Sequence, residues 1–137
     1  MRKKKSPVKA YQTKALKLWY KLVKERDGCC QIGKYYPSKC YKSPVLNAHH
    51  IFSKSKHRSI CLDIENGILL CSGCHTALSF GNDAYRELVR EIVVKRDPAI
   101  YERLFEQAQM KGPHLCWKSI SWLEDQIKVL EELCPTS

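Results

Sequence analysis

The chain has 137 residues, of which 44% are hydrophobic and 28% are charged, a composition that excludes a wholly disordered protein and fits one folded domain. Its net charge of +10 is unevenly distributed, because residues 1–60 carry 16 Lys and Arg against 2 acidic residues (+14) and residues 61–137 carry 8 against 12 (−4). The basic first half is suited to a polyanion such as nucleic acid, with a solvated basic tail as the alternative.

No segment has the pattern of an export signal or a membrane span. The basic start is not followed by an apolar run of about 7–15 residues, and no stretch approaches the ~18 apolar residues of a membrane helix. We therefore expect an intracellular, cytoplasmic protein without membrane contact. In a reducing compartment, eight cysteines are better explained by metal ligation and buried thiols than by disulfides.

Residues 1–8 are expected to form a flexible basic arm, followed by an amphipathic helix from Lys9 to Arg26. Its predicted inner face consists of residues at helical spacing: Gln12, Ala15, Leu16, Trp19, Leu22 and Val23. The lysines on its other face are candidate phosphate contacts. Asp27 and Gly28 are expected to end the helix.

The middle of the chain predicts a loop, two strands and a helix. Residues 29–44 contain glycine and prolines and are expected to be irregular. Strands are predicted at Val45–Ile51 and Ile68–Cys71, and a helix should begin near Cys74 and stop near Gly81. The polar loop between the strands contains Lys54, Lys56 and Arg58, which are candidate nucleic-acid contacts, although a solvated loop is the alternative reading.

The sequence of residues 81–137 predicts a helical extension packed on or beside the core. This extension would serve as a scaffold or as a surface for a partner. Asn82 should cap a helix at about 83–95, Asp97-Pro98 should begin one at about 98–110, and a Ser121-x-x-Glu124 capping box should begin the last. The predicted buried face of the first of these helices is Tyr85, Leu88, Val89, Ile92 and Val93. That of the second is Ile100, Leu104, Phe105 and Ala108, and that of the last is Leu123, Ile127, Leu130 and Leu133.

The cysteines predict a structural metal site. Cys71-Ser72-Gly73-Cys74 is half of a four-thiolate site, because a gap of two residues lets both sulfurs reach one ion. Cys30 and Cys40 are the expected second half, with Cys29 as a replacement for Cys30 and Cys61 as a remote competitor. Four thiolates fill the coordination sphere of Zn²⁺, so that ion would be structural. The βαβ setting of a redox Cys-x-x-Cys pair is missing. Cys116 and Cys134 are expected to be buried thiols on apolar helical faces.

The candidate chemistry lies in His49, His50, Asn66 and His75. Neighbouring side chains on a strand point to opposite faces, so the two adjacent histidines should have different roles. One can bind a divalent cation together with His75, and the other can take a proton from water. A cation held in this way would act as a Lewis acid on a phosphodiester.

The order Ala48-His49-His50-Ile51, Asp63-x-x-Asn66 and Leu70-Cys71-x-x-Cys74-His75 resembles the HNH endonucleases, the ββα-metal nucleases, over about residues 26–80. The resemblance implies a mostly helical α+β fold, in which residues 9–80 form an N-terminal helix and a zinc-stapled ββα-metal core, followed by C-terminal helices. The resemblance implies that His50 is the general base and that His49 and His75 bind the catalytic metal. It implies that Asn66 holds the loop between the strands and thereby the base in place. The implied ligands of the structural zinc are Cys30, Cys40, Cys71 and Cys74.

The resemblance further implies hydrolysis of DNA phosphodiester bonds with Mg²⁺, Mn²⁺, Ni²⁺ or Zn²⁺, in a phage or prophage setting inside a bacterial or phage-infected cell. Other phage recombination or packaging proteins are candidate partners. The alternatives are a non-catalytic zinc module that binds nucleic acid or protein, and an accessory nuclease in phage recombination or packaging. Ser79 departs from the family pattern, since many members carry a third histidine there, and His57 is a further candidate to reach the substrate or the metal.

Overall fold

The computed structural model of the protein describes residues 7–110 and 114–134. Helices and one two-stranded antiparallel sheet make the fold α+β and mostly helical, which confirms the predicted class. The elements are α1 Pro7–Asp27, α2 Gln31–Tyr35, β1 Leu46–His50, β2 Gly67–Cys71, α3 Ser72–Ser79, α4 Asp83–Arg96, α5 Pro98–Gln109 and α6 Ile120–Leu133. None of the helices in these two ranges combines the length and the apolar character needed to cross a bilayer.

The two strands and α3 form a ββα unit at the centre of the fold. β1 and β2 pair antiparallel, with His49 opposite Ile68 and His50 opposite Gly67. Every residue of β2 is buried, and β2 continues directly into α3. Because β2 is covered on both sides, its sequence is a continuous apolar run instead of an alternating one.

α1 packs against α6 and against the start of β2. The buried face of α1 is Ala15, Trp19, Leu22 and Val23, four of the six residues predicted from the spacing, whereas Gln12 and Leu16 are half-buried. This face shares a core cluster with residues of α6, namely Leu123, Ile127 and Leu130. Gly67 permits the close approach of β2, because a Cβ there would lie 2.5 Å from Cγ2 of Val23 and 2.7 Å from Cζ2 of Trp19.

A second core cluster joins α2, β2, α3 and α4. Its aliphatic members are Ile32, Ile68, Leu70, Leu78, Val89 and Ile92. Asn82 caps α4 by accepting the N–H of Ala84, as predicted, and Asp97 caps α5 by accepting the N–H of Ala99. The residues after Gly81 are therefore part of the packing around the ββα unit.

Asp27, the last residue of α1, links three elements. Its carboxylate accepts bonds from Nε of Arg26 and Nη2 of Arg96 on α4, both at 2.9 Å, and from the backbone N–H of Leu69 on β2 at 2.9 Å. Burial by itself would raise the pKa of this carboxyl. The hydrogen bonds from Arg26 and Leu69 and the positive charges of Arg26 and Arg96 outweigh that effect and hold the pKa below its usual range.

The N-terminal third differs from the sequence prediction in two places. α1 begins at Pro7, so two residues assigned to the flexible arm belong to the helix, where proline is favoured at the first position. The rest of that arm lies outside the described residues. The segment 29–44, predicted to be irregular, contains α2 and a 3-10 helix at Pro37–Lys39, because burial of Ile32 stabilises a short helix that propensity alone would not.

The C-terminal third differs in detail as well. A 3-10 helix ends at Lys118, so α6 begins with Ser119 as its cap, whose hydroxyl accepts the N–H of Trp122; the predicted capping box at Ser121 is wrong. Phe105 and Leu133 are 44% and 50% exposed, not buried, because each lies beyond the edge of the face that meets the core.

Several other residues expected inside are only half-buried. They are Tyr85 and Leu88 on α4, Ile100 and Ala108 on α5, and the thiols of Cys116 and Cys134. Cys116 lies in the 3-10 helix before α6 and Cys134 follows the end of α6, so neither cysteine occupies the inner face of an α-helix.

Candidate metal centre and active site

Four cysteines converge beside the ββα unit. The Sγ atoms of Cys30, Cys40, Cys71 and Cys74 all lie within 4.8 Å of one another. The Sγ of Cys40 is 3.8 Å from that of Cys30, 3.9 Å from that of Cys71 and 4.0 Å from that of Cys74. Since Zn–S bonds of ~2.3 Å in a tetrahedron separate the sulfurs by about 3.8 Å, the four donors fit Zn²⁺.

The local structure explains how the four sulfurs meet. Cys30 directly precedes α2 and Cys71 directly precedes α3, whose first turn contains Cys74. Gly73 lets the chain around residue 41 lie against this turn: its N–H donates to Oγ of Ser43 at 3.1 Å, and a Cβ at Gly73 would overlap the side chain of Tyr41. That contact brings Cys40 to the turn.

The two alternative ligands are not part of this cluster. Cys29 is exposed, and Cys61 is fully buried in the core between α1 and α6. The structure therefore brings together the four cysteines that the spacing favoured.

A cavity of about 600 Å³ opens beside the sheet and is lined by His49, His50 and His75. His49 lies beside His75 of α3, with ring centroids 5.1 Å apart. His50 lies against α1 instead, where its ring stacks on Trp19. The adjacent histidines thus have different surroundings while both reach the same cavity.

The His50 ring is held in one orientation. Its centroid is 3.8 Å from that of Trp19 with the planes at 5°, and its Nε2 lies 2.8 Å from the carbonyl oxygen of Cys61. Because a carbonyl only accepts, Nε2 carries the proton and donates, which leaves the lone pair on Nδ1. Burial lowers the pKa of His50 to about 4; the bond to Cys61 raises it and the charge of Lys54 lowers it. The ring is therefore neutral near pH 7.

His49 and His75 form a pair of neutral imidazoles. Burial, followed by the charges of His75 and His50, lowers the pKa of His49 to about 4, and burial also lowers the pKa of His75. Nδ1 of His75 contacts Nδ2 of Asn47 at 3.4 Å, which leaves Nε2 as its freer nitrogen. At this ring separation one nitrogen from each histidine can reach a single ion at about 2.1 Å, and neutral imidazole is the form that binds metals.

Asn66 joins the two ends of the loop between the strands. The residue is fully buried; its Oδ1 accepts the N–H of Phe52 at 2.8 Å, and its Nδ2 donates to the carbonyls of Phe52 at 3.1 Å and Ile60 at 3.3 Å. This loop directly follows His50 and contains Cys61. Asn66 therefore fixes the segment that contains both His50 and its carbonyl partner.

The basic loop residues lie in different places. Lys54 lines the cavity, whereas Lys56 is exposed and does not line it. The guanidinium of Arg58 lies over the ring of Trp117, 5.1 Å from its centroid. His57 packs edge-on against Phe52 and does not line the cavity.

Sequence reasoning missed the cavity residues that come from other helices. Tyr20 of α1 and Tyr101 of α5 line the cavity, and so do Arg86, Glu87 and Arg90 of α4. The only sequence signal was the spacing of the two arginines by four residues, which puts them on one side of a helix. Exposed Ser79 also lines the cavity.

The family model described as HNH endonuclease matches residues 37–81. This confirms the resemblance over 45 of the 137 residues, a third of the chain, and indicates a nuclease-type domain of a kind that typically binds metal and acts on nucleic acid. The matched segment contains both strands, α3 and the residues from Cys40 to His75. α1, Cys30 and α4 to α6 lie outside it. Comparisons with curated proteins and with solved structures gave no match.

Proposed function

We propose that the protein is a metal-dependent HNH endonuclease that hydrolyses phosphodiester bonds in DNA. The observation that supports this most directly is the fixed His50 ring beside the His49–His75 pair on one cavity. A buried imidazole with one nitrogen tied to a backbone carbonyl offers its other nitrogen as a base. A neighbouring pair of neutral imidazoles offers a metal site. A base that activates water and a cation that stabilises phosphate charge each promote hydrolysis of a phosphodiester.

His50 is the proposed general base. The hydrogen bond to the Cys61 carbonyl selects the tautomer in which Nδ1 accepts a proton, and stacking on Trp19 limits rotation of the ring. Nδ1 would take the proton from the attacking water. Asn66 would act through the loop, since it bonds to Phe52, two residues after His50, and to Ile60, the residue before Cys61.

His49 and His75 are the proposed ligands of the catalytic cation. When bound, that cation would act as a Lewis acid that stabilises negative charge on the phosphate and on the leaving oxygen. Imidazole ligands with oxygen donors suit Mg²⁺, Mn²⁺, Ni²⁺ or Zn²⁺. Ser79 stands where many members of the family carry a third histidine, so we expect water to complete the coordination.

The cysteine cluster is proposed to hold a structural Zn²⁺. Four thiolates leave no open coordination position for a substrate, so this site would contribute stability and not chemistry. It would join the segment from Cys30 to Cys40 to the start of α3, which carries His75. The proposed catalytic ligand would then depend indirectly on zinc.

DNA is the proposed substrate because the charge of the first half, +14 over residues 1–60, favours a polyanion. Lys54 lies in the cavity itself, and Lys24 borders a second cavity on the Asn47 side of His75. These contacts would go to phosphates and would not read sequence. A phage or prophage setting inside a bacterial cell, with recombination or packaging proteins as partners, remains part of this proposal.

Cleavage of supercoiled plasmid by zinc-loaded protein tests the proposed function. The wild-type protein should nick plasmid only when Mg²⁺, Mn²⁺ or Ni²⁺ is added, and the His49→Ala protein should be slower and need more metal. His57→Ala is the matched control, because it removes a histidine from the same region that does not line the cavity.

The control protein should cleave at the wild-type rate. Failure of the wild-type protein to cleave DNA under any of these metals, with zinc fully loaded, would overturn the proposal and favour the non-catalytic zinc module. Equal rates for wild-type and His49→Ala proteins at limiting metal would remove His49 from the metal site.

A further inference from the structure

Two arginines on α4 face the cavity that contains the three histidines. Arg86 and Arg90 are four residues apart, which places them one helical turn apart on the same side. Both line the cavity together with Lys54 and His75. They come from a helix that lies outside the segment matched by the HNH family model.

The position of α4 is fixed by packing and by its two ends. Val89 and Ile92 are buried among the side chains of β2 and α3, and Asn82 caps the first turn. At the last turn, Arg96 donates to Asp27 at 2.9 Å and to Gln31 at 2.6 Å. The two arginines therefore project from a helix whose backbone position beside the cavity is fixed by packing.

The charges around the cavity favour an anion. Lys54, Arg86 and Arg90 contribute three positive charges, and Glu87 contributes one negative charge. Glu87 accepts from Nε of Arg90 at 3.1 Å, which leaves the two terminal nitrogens of Arg90 for another ligand. Within residues 7–110 and 114–134, Arg86 makes no ion pair or side-chain hydrogen bond, whereas Arg90 and Arg96 of the same helix both do.

We propose that Arg86 and Arg90 bind phosphate groups of the nucleic acid strand that enters the cavity lined by the histidines. A planar guanidinium can donate two parallel bonds to phosphate oxygens, and two guanidiniums one turn apart can hold phosphates along a strand. This inference rests on the proposed function. It makes α4 part of the substrate-binding site, so the matched segment 37–81 would not be sufficient for substrate binding.

Binding of a short fluorescein-labelled DNA duplex, measured by fluorescence anisotropy without added divalent metal, tests this inference. The 137-residue proteins compared are wild type, Arg86→Gln, Arg90→Gln and Lys128→Gln, all with equal zinc content. Lys128 is exposed on α6 and does not line the cavity, so its replacement removes the same charge elsewhere. Each arginine variant should raise Kd about 10-fold, since it loses a charge-assisted bond to phosphate.

The salt dependence separates phosphate binding from a general charge effect. Each arginine variant should reduce the slope of log Kd against log salt by about 1, and Arg86→Lys should restore the slope while recovering only part of the affinity. The inference is overturned if the arginine variants bind no more weakly than Lys128→Gln with an unchanged slope.

Cleavage by the same proteins distinguishes this inference from the proposed function. If wild-type protein cleaves DNA and the arginine variants bind and cleave like Lys128→Gln, the nuclease assignment stands and the arginine inference fails. If no protein cleaves under any metal but the arginine variants lose affinity, the arginine inference stands without the nuclease. Absence of binding by the wild-type protein would overturn the arginine inference.

Discussion

The imidazole of His50 lies parallel to the indole of Trp19, with ring centroids 3.8 Å apart and planes at 5°. Trp19 is fully buried, and its Nε1 donates to the carbonyl of Asp63 at 2.8 Å. The proposed base is thus positioned by a residue of α1, outside the segment that matches the HNH model. α1 therefore contributes both to the core and to the orientation of a cavity residue.

Replacement of Trp19 should lower kcat by changing the orientation of His50. Trp19→Leu removes the stacking surface, and we expect kcat to fall about 10-fold or more with little change in KM, because misplacement of a base affects the chemical step more than substrate binding. Trp19→Phe keeps an aromatic ring and should retain more activity. Steady-state cleavage of a labelled duplex, below the melting temperature of each variant, measures both constants.

Trp122→Leu is the control for loss of a tryptophan that packs against the core. Trp122 packs against the same core cluster from α6, so both Leu variants should lose stability, by about 2–3 kcal/mol for Trp19. Only Trp19→Leu should lose kcat. A kcat for Trp19→Leu equal to that of Trp122→Leu would mean that stacking has no part in positioning His50.

Replacement of one cysteine of the four-sulfur cluster should lower both the zinc content and the stability of the protein. Cys40 has its Sγ within 4.0 Å of the other three sulfurs, so Cys40→Ser should reduce the zinc content and the melting temperature of the protein. The free energy of unfolding should fall by several kcal/mol, since binding of a structural zinc is coupled to folding. Zinc content by atomic emission and thermal unfolding by circular dichroism provide the measurement.

Cys29→Ser is the matched control for that experiment. Cys29 is adjacent in sequence to Cys30 but is exposed and outside the four-sulfur cluster. The control protein should keep its zinc and its melting temperature. Zinc loss from Cys29→Ser, with retention by Cys30→Ser, would assign the fourth ligand to Cys29.

The pH dependence of stability should reflect the buried carboxylate of Asp27. Its pKa is held below the usual range, so it contributes stability above the unfolded value of about 3.9, and that contribution is lost as the pH falls through the lower folded-state pKa. Asp27→Asn should lower the free energy of unfolding at neutral pH by an amount on the order of 1–3 kcal/mol, because Arg96 and Leu69 lose a charged acceptor. Urea unfolding at neutral pH and near pH 3 measures this.

The difference between wild-type and Asp27→Asn proteins is the informative quantity, because protonation of the zinc thiolates affects both. That difference should shrink as the pH is lowered into the range where Asp27 is protonated. Asp125→Asn, at an exposed position on α6, should show a much smaller difference at either pH. A difference for Asp27→Asn that stays constant with pH would contradict the depressed pKa.

The parts of the fold that could be predicted from the sequence are those set by local constraints. The spacing of Cys71 and Cys74 within one turn, and the apolar run of β2 before them, predict the strand-to-helix turn directly. The face of α1 follows from its helical period. Cys30 and Cys40 were the favoured partners, although only the fold separates exposed Cys29 and core-buried Cys61 from the cluster.

The remaining parts of the candidate site depend on tertiary packing. Helical periodicity assigns Arg86 and Arg90 to the solvent side of α4, and it does not reveal that this side borders the histidine cavity. The basic loop predicts that Arg58 contacts nucleic acid, but its guanidinium lies over the ring of Trp117, which comes from a distant segment of the chain. Phe105 has the spacing of a core residue, yet α5 turns it towards Tyr101 at the surface. The position of each of these side chains depends on how separate segments pack together, which local sequence patterns do not specify.

The role of His50 is best tested by the single-turnover rate of DNA cleavage by His50→Ala protein, relative to wild type at saturating Mn²⁺ and equal zinc content. If His50 takes the proton from the attacking water, the rate should fall by at least about 100-fold while zinc content and folding stay unchanged. Cleavage by His50→Ala at the wild-type rate would contradict the role of His50 as general base, because the chemistry would then occur without the residue that Trp19 and the Cys61 carbonyl hold in place.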